Sequence, residues 1–246
     1  MTHPTHFWQS ILARPDDDAP RLKYANYLDG CSNPLGEFIR LQCAVAQEQI
    51  KAPHIDYERR AQDLLGQHQA FWSEALAGFV QWCSFRRGFV EEIALTDAQF
   101  LCHGAELFRN APVFDVHVRW TGMRLDRLPQ LPDLVQTLFL DISSQKIGDG
   151  GAARLAHAPL LSQIHGLNLA SNCLGDDGLD AIHDSPHLGN LRELYLGDNS
   201  ITDDGIRRFV MSPLVEQLDK LDVRYTQISR ESVEVLRRIL GEKLLF

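Results

Sequence analysis

The stretch Leu191-x-x-Leu194-x-Leu196-x-x-Asn199-x-Ile201, followed by Gly205, Ile206 and Phe209, sets the architecture, because its spacing recurs. An upstream copy reads Ile164-x-x-Leu167-x-Leu169-x-x-Asn172-x-Leu174, followed by Gly178, Leu179 and Ile182, with every position offset by the same interval. Side chains two apart in a strand share a face, so Leu194 and Leu196 point inward while Arg192, Glu193, Tyr195 and Gly197 fall at or around exposed positions. Asn199 stands where the chain leaves the sheet, and its amide has both donors and acceptors for loop groups that lose water. Asn172 repeats the device. Asp203-Asp204-Gly205 supplies helix-start chemistry, and Ile206 and Phe209 lie three apart on the helix face that covers the strand. Pro213, Pro186 and Pro159 are expected to stop the helices of successive copies.

A constant period with this spacing is the mark of a leucine-rich repeat, in which each unit adds one strand and one helix to a stacked solenoid. Weaker copies follow from the template. Leu218, Leu221, Val223 and Ile228 fit, with Thr226 in the Asn place and Ser232 in the Gly place. Val135, Leu138, Leu140, Ile147 and Gly151 fit if two residues are inserted after Leu140. Degenerate copies begin at Val113 and Val90. The fold expected is α/β: a leucine-rich-repeat solenoid of about six units over residues 81–246, the first two degenerate, behind a small α-helical domain over residues 1–80. Strands about 4.8 Å apart and helices about 8 to 10 Å apart can stack only with curvature, so the parallel sheet is expected inside and concave, the helices outside.

Composition agrees with a folded, soluble, intracellular protein: 246 residues, 44% apolar, enough for a solenoid plus a small domain rather than one globule. The five cysteines, Cys31, Cys43, Cys83, Cys102 and Cys173, are odd in number and form no CxxC, which argues for reduced thiols and against a disulfide framework or zinc site. No basic leader precedes an apolar run at the N-terminus, and no stretch of about 18 apolar residues occurs, so a cytoplasmic location is expected. Residues 1–88 hold nine Lys or Arg against ten Asp or Glu, and residues 89–246 hold 15 against 23. The repeats are the acidic part. Nucleic acid and anionic membrane surfaces call for a basic patch, so both are disfavoured as partners.

Residues 1–80 are helical in pattern. Phe7, Trp8, Ile11 and Leu12 have helical spacing. Asp16-Asp17-Asp18-Ala19-Pro20 opens a second helix with Leu22, Tyr24, Ala25, Tyr27 and Leu28. A third helix spans 35–49 and a fourth 55–76, with Leu64, Leu65, Phe71 and Trp72 directed inward. Residues 79–89, broken by Arg87-Gly88, predict a strand or hairpin leading into the first repeat.

The run Ile11-Leu12-Ala13-x-Pro15-x-Asp17-Asp18-Ala19-Pro20-Arg21-Leu22-x-Tyr24-Ala25-x-x-Leu28, then Pro34-x-Gly36-Glu37-Phe38-Ile39-Arg40-Leu41-Gln42, resembles the repeat-companion domain found in bacteria at the head of leucine-rich-repeat proteins. Trp82-x-x-Phe85-x-Arg87-Gly88-Phe89-Val90-Glu91 is similar to the junction of that family. The chain departs from the pattern at Asn26, where an acidic residue is usual, and at Tyr27, where Trp is usual. The resemblance implies a fold and a domain order; the family carries no established activity. The repeats resemble the ribonuclease-inhibitor class, which implies true helices on the outer side.

On the concave face, outward side chains have no packing duty, and recognition can be written there. The residues between the central apolar pairs are Ala94, His117, Phe139, Asn168, Tyr195 and Asp222. Exposed aromatic residues and arginines most often anchor interfaces. The expected partner-binding residues are therefore His117, Arg119, Trp120, Phe139, Asn168, Tyr195, Arg224 and Tyr225. Phe139 and Tyr195 are expected in the same outward place of units two apart, about 10 Å from each other with Asn168 between them. Trp120 is alternatively covered by residues 121–132, and Tyr225 by the C-terminal cap.

Catalytic patterns are poor: there is no Gly-x-Ser-x-Gly, P-loop or His-Glu-x-x-His. Ser185-Pro186 interrupts the helical spacing of His183 and His187, and Asp16-Asp17-Asp18 lacks the Gly and distal Glu of a calcium loop. The reading is a non-catalytic protein-interaction module with no cofactor and no metal, binding a protein partner. The competing reading is an enzyme or effector whose helical domain carries an undescribed activity and whose repeats select the substrate.

Overall fold

The computed structural model describes residues 5–48, 55–119, 121 and 138–246. The chain divides into two compact units, Met1–Ile93 with Ala105–Phe114 and Ala94–Gly104 with Asp115–Phe246.

The first unit opens with helices α1 (Thr5–Ala13), α2 (Asp18–Asp29), α3 (Leu35–Glu48) and α4 (Ile55–Trp72). Asp17 caps α2, its carboxylate accepting the Ala19 N–H at 2.9 Å, so the acidic run is helix-start chemistry. The fourth helix is shorter than its pattern: α4 ends at Trp72, and a 3₁₀ turn over Glu74–Leu76 follows. Phe71, expected inside, is 57% exposed, whereas Leu64 is buried and the Trp72 ring lies 4.7 Å from Phe38. Tyr27 is likewise half exposed.

Residues 79–89 resolve into a hairpin. Strands β1 (Trp82–Arg86) and β2 (Phe89–Thr96) are neighbours joined by Arg87-Gly88, both at positive φ, the turn geometry that follows strand twist. Gly88 is required twice over, because a Cβ there would also collide with the Ile39 side chain of α3. Around this turn several of the residues quoted for the companion-domain resemblance converge. Fully buried Arg21 donates to the Pro15 carbonyl at 2.7 Å and to the Glu91 carboxylate. Arg87 donates to the same Pro15 carbonyl at 2.9 Å. Gln42 accepts the Gly88 N–H at 2.6 Å and donates to the Phe85 carbonyl at 3.3 Å. Burial pushes the Glu91 carboxyl up to about 7 against the downward pull of Arg21. This network ties α2, α3 and the hairpin together.

In chain order α5 (Asp97–Asn110) follows β2, and the second unit continues with β3 (Asp115–Arg119) and β4 (Leu138–Asp141). Next come α6 (Gly148–Ala156), β5 (Ile164–Asn168), α7 (Asp176–His183) and β6 (Glu193–Tyr195), then α8 (Asp203–Phe209), α9 (Pro213–Gln217), β7 (Lys220–Asp222), α10 (Arg230–Leu240) and β8 (Leu244–Leu245). Strands β3 to β8 pair in sequence order and in parallel. One register line runs through Val116, Leu140, Leu167, Leu194, Leu221 and Leu244, all buried. Leu179, Ile182, Ile206 and Phe209 bury the helix faces, as their spacing predicts.

The register corrects the third unit. Leu140, not Leu138, aligns with Leu167, and the Ile142 N–H bonds the Asn168 carbonyl just as the Leu169 N–H bonds that of Tyr195. No two-residue insertion is needed. The pairing shifts by one residue between Leu138 and Phe139, at the strand start. Val135 lies outside the described residues. Pro213 and Pro159 also act differently from the expectation: each opens a new short helical turn, Pro213–Gln217 and Pro159–Gln163, where its missing N–H is harmless.

Two polar ladders join successive units. Asn199 accepts the Asn172 and Leu174 N–H groups, each at 3.0 Å, and donates to the Leu169 and Leu196 carbonyls. Asn172, fully buried, does the same for Gln145 N–H and the Ile142 carbonyl. The second ladder is carboxylate. Asp149 accepts the Gly175 and Gly178 N–H groups, Asp176 accepts those of Thr202 and Gly205, and Asp203 accepts Ser229 N–H and the Ser232 hydroxyl. Each aspartate therefore serves the helix start of the following unit as well as standing at its own.

Candidate functional site

The buried register line leaves its flanking positions on the opposite side of the sheet, where they are half-buried apart from Gly166 and Asp222, which are buried. One row on that side is His117, Asp141, Asn168, Tyr195, Asp222 and Leu245; the row two residues earlier is Asp115, Phe139, Gly166, Glu193 and Lys220. His117, Asn168 and Tyr195 thus share a row as expected. Phe139 does not: the shifted frame puts Asp141 in that row and Phe139 in the earlier one.

The consequence is a tighter arrangement than the one expected. Phe139 lies over Gly166, where a Cβ would overlap its ring, and it reaches across to Tyr195. The two rings meet edge to face with centroids 5.7 Å apart, and Gly166, not Asn168, is what lies beneath. The Tyr195 hydroxyl donates to the Glu193 carboxylate at 2.6 Å, and the Lys220 ammonium stands 5.0 Å from the ring centroid. Burial first, then the Glu193 carboxylate, pushes the Tyr195 hydroxyl above its ordinary value.

On one side of this pair, His117 Nδ1 is 3.2 Å from Asp141 Oδ2. Burial by itself would raise the Asp141 carboxyl, but the bonds from His117 and Ser143 outweigh it and hold the group below its ordinary value. On the other side Asp222 accepts two bonds from the Arg224 guanidinium, at 3.0 and 2.6 Å, which fixes that side chain along the strand end. Asp141, Asn168 and Asp222 each also accept the N–H two residues on, at 2.7, 3.0 and 3.0 Å. These are turn-forming bonds at the end of a strand, so the Asn168 oxygen has a structural duty beside any part in recognition.

Arg119 is exposed at the end of β3. Trp120 lies outside the described residues. Tyr225 is 85% exposed and holds φ 59°, the last of a series with Ser144, Ser171 and Asp198 that recurs once per unit, every member at positive φ. Small polar residues suit that left-handed backbone; an aromatic there is unusual. Sequence reasoning left Asp141, Glu193, Lys220 and Asp222 out of the site. The strand period would have found Glu193 and Lys220, each two residues before a member of the outward row, whereas Asp141 was hidden by the slipped frame.

A family model described as Leucine Rich repeat matches residues 165–182 and 187–210, the stretches that carry β5, α7, β6 and α8. A comparison with curated proteins finds no match. Among the described residues no helix is long and apolar enough to cross a membrane, and no group of three or more His, Cys, Asp and Glu is placed to hold a metal ion. The chain therefore has leucine-rich-repeat content within an α/β fold.

Proposed function

We propose that the second unit is a leucine-rich-repeat solenoid acting as a non-catalytic protein-binding module, with the partner received on a concave sheet face centred on Phe139 and Tyr195. Stacked repeats of this kind generally use such faces for binding. The observation that supports the reading best is the Phe139–Tyr195 pair, two half-buried aromatic rings held edge to face on the side of the sheet opposite the buried register line. Pre-set aromatic anchors contribute most to protein interfaces because little side-chain freedom is lost on binding. The flanking His117–Asp141 and Arg224–Asp222 pairs add oriented polar groups at the rim. All five cysteines are free thiols, which suits a reducing compartment such as the cytoplasm.

The test is partner capture by the full chain and by two variants. Phe139→Ala with Tyr195→Ala should reduce capture more than tenfold. Tyr225→Ser, which installs the residue type of positions 144 and 171, should reduce capture with no loss of melting temperature. Undiminished capture by both variants would remove this face from consideration.

A further inference from the structure

Helix α10 presents a surface outside the site described above, and its pattern is complementary to its own reverse. Ser232, Leu236 and Leu240 face inward, leaving Glu231, Glu234, Val235, Arg238 and Ile239 exposed. Val235 and Ile239 are 40% and 45% exposed, adjacent one turn apart on the same flank. Acid at a helix start and base at its end suit the helix dipole, which accounts for the charge order without the two apolar residues. Glu234 is already occupied by Arg237, at 2.5 Å. Glu231 and Arg238 have no ion-pair partner among the described residues. Seven residues separate them, about 10 Å along the axis, too far for them to meet each other.

A second copy of α10 running antiparallel about a two-fold axis between Glu234 and Val235 removes the mismatch twice. Glu231 of each copy then stands opposite Arg238 of the other, and Val235 meets Val235. The same axis brings Ile239 of one copy over the start of α10 in the other, where Arg230, Glu231, Glu234, Val235 and Arg238 line a depression of about 380 Å³. A projecting side chain and a depression offset by one turn form a reciprocal knob and hole, the self-complementarity that a two-fold interface requires. We infer that α10 is a homodimerisation face of this protein, held by two Glu231–Arg238 pairs around a Val235 and Ile239 seam. An 11-residue helix is about 16 Å long, so the contact is small beside the roughly 800 Å² per partner of a standard interface, and the dimer is a weak one.

Sedimentation velocity of the full chain tests this, with concentration raised from about 10 to 500 µM to span the range of weak association. The wild-type chain should shift from monomer towards dimer. Glu231→Arg alone and Arg238→Glu alone should each weaken self-association at least tenfold, since each places like charges together at both contacts. Mixing those two variants in equal amounts should restore dimer, because each Arg–Glu contact is then remade between unlike copies. Circular dichroism melting confirms that each variant is folded. A wild-type chain that stays monomeric throughout, or a mixture that associates no better than the separate variants, overturns the proposal.

Discussion

Among single residues, the side chains that matter most are those that answer for buried backbone groups. Asn199 serves two N–H donors and at least two carbonyls with one amide, and truncation leaves all of them without that partner. Asn199→Ala should therefore cost about 1 to 3 kcal/mol, read as a lowered denaturant midpoint, and Asn172→Ala a similar amount. An unchanged midpoint in both would mean that water replaces the amide. Asp141 makes a pH prediction. Its carboxyl is held below the ordinary value by His117 and Ser143, so between the folded and unfolded pKa the unfolded chain binds more protons. The stabilisation is fully present above the ordinary carboxylate pKa of 3.8 and is lost as pH falls through the folded value. The stability difference between the wild type and Asp141→Asn should be largest near neutrality and shrink on acidification below that point; a difference constant with pH would disconnect Asp141 from the pair.

Between elements, the repeated Asp-Asp-Gly turns join one unit to the next. A Cβ on Gly205 would stand 2.5 Å from Asp176 Oδ1, and one on Gly178 would collide with Asp149 Oδ1 in the same way. The glycine is small because the previous unit's aspartate reaches the helix start it opens. Gly205→Ala should destabilise by about 1 to 3 kcal/mol through overpacking. Combining it with Asp176→Ala should cost less than the sum of the single changes, since the colliding carboxylate is gone. Strict additivity in that cycle would show that the carboxylate is not what excludes the side chain. The last unit departs from the rule consistently: Ser232 replaces glycine, and its hydroxyl bonds Asp203.

Across the molecule as a whole, the units whose neighbours match them on both sides should be the most resistant to opening, because repeat stability is a sum of each unit and its interfaces. Amide hydrogen exchange should be slowest in β5, α7 and β6, where both polar ladders are complete, and faster in β8 and in α1. Uniform exchange along the second unit would indicate a single cooperative block. Most of the helical pattern at the N-terminus was legible through apolar spacing. The polar network of Arg21, Gln42, Arg87 and Glu91 was not, since its members come from segments far apart in the chain.

Local chemistry along the chain was enough to specify the strand and helix alternation, the inward Leu rows, the asparagine at each strand exit and the break at Arg87-Gly88, because these depend on periods of two and 3.6 and on turn residues. It also placed His117 and Tyr195 in one outward row. The folded arrangement was needed to establish that Phe139 leans across Gly166 onto Tyr195, that Asp141 rather than Phe139 stands beside His117, and that the aspartates of one unit serve the next helix start. The cause is register. Advancing the frame by two residues, so that Leu140 takes the place given to Leu138, leaves the apolar alternation intact, so the pattern cannot detect it, whereas inter-strand hydrogen bonds admit one alignment and thereby select which side chains meet.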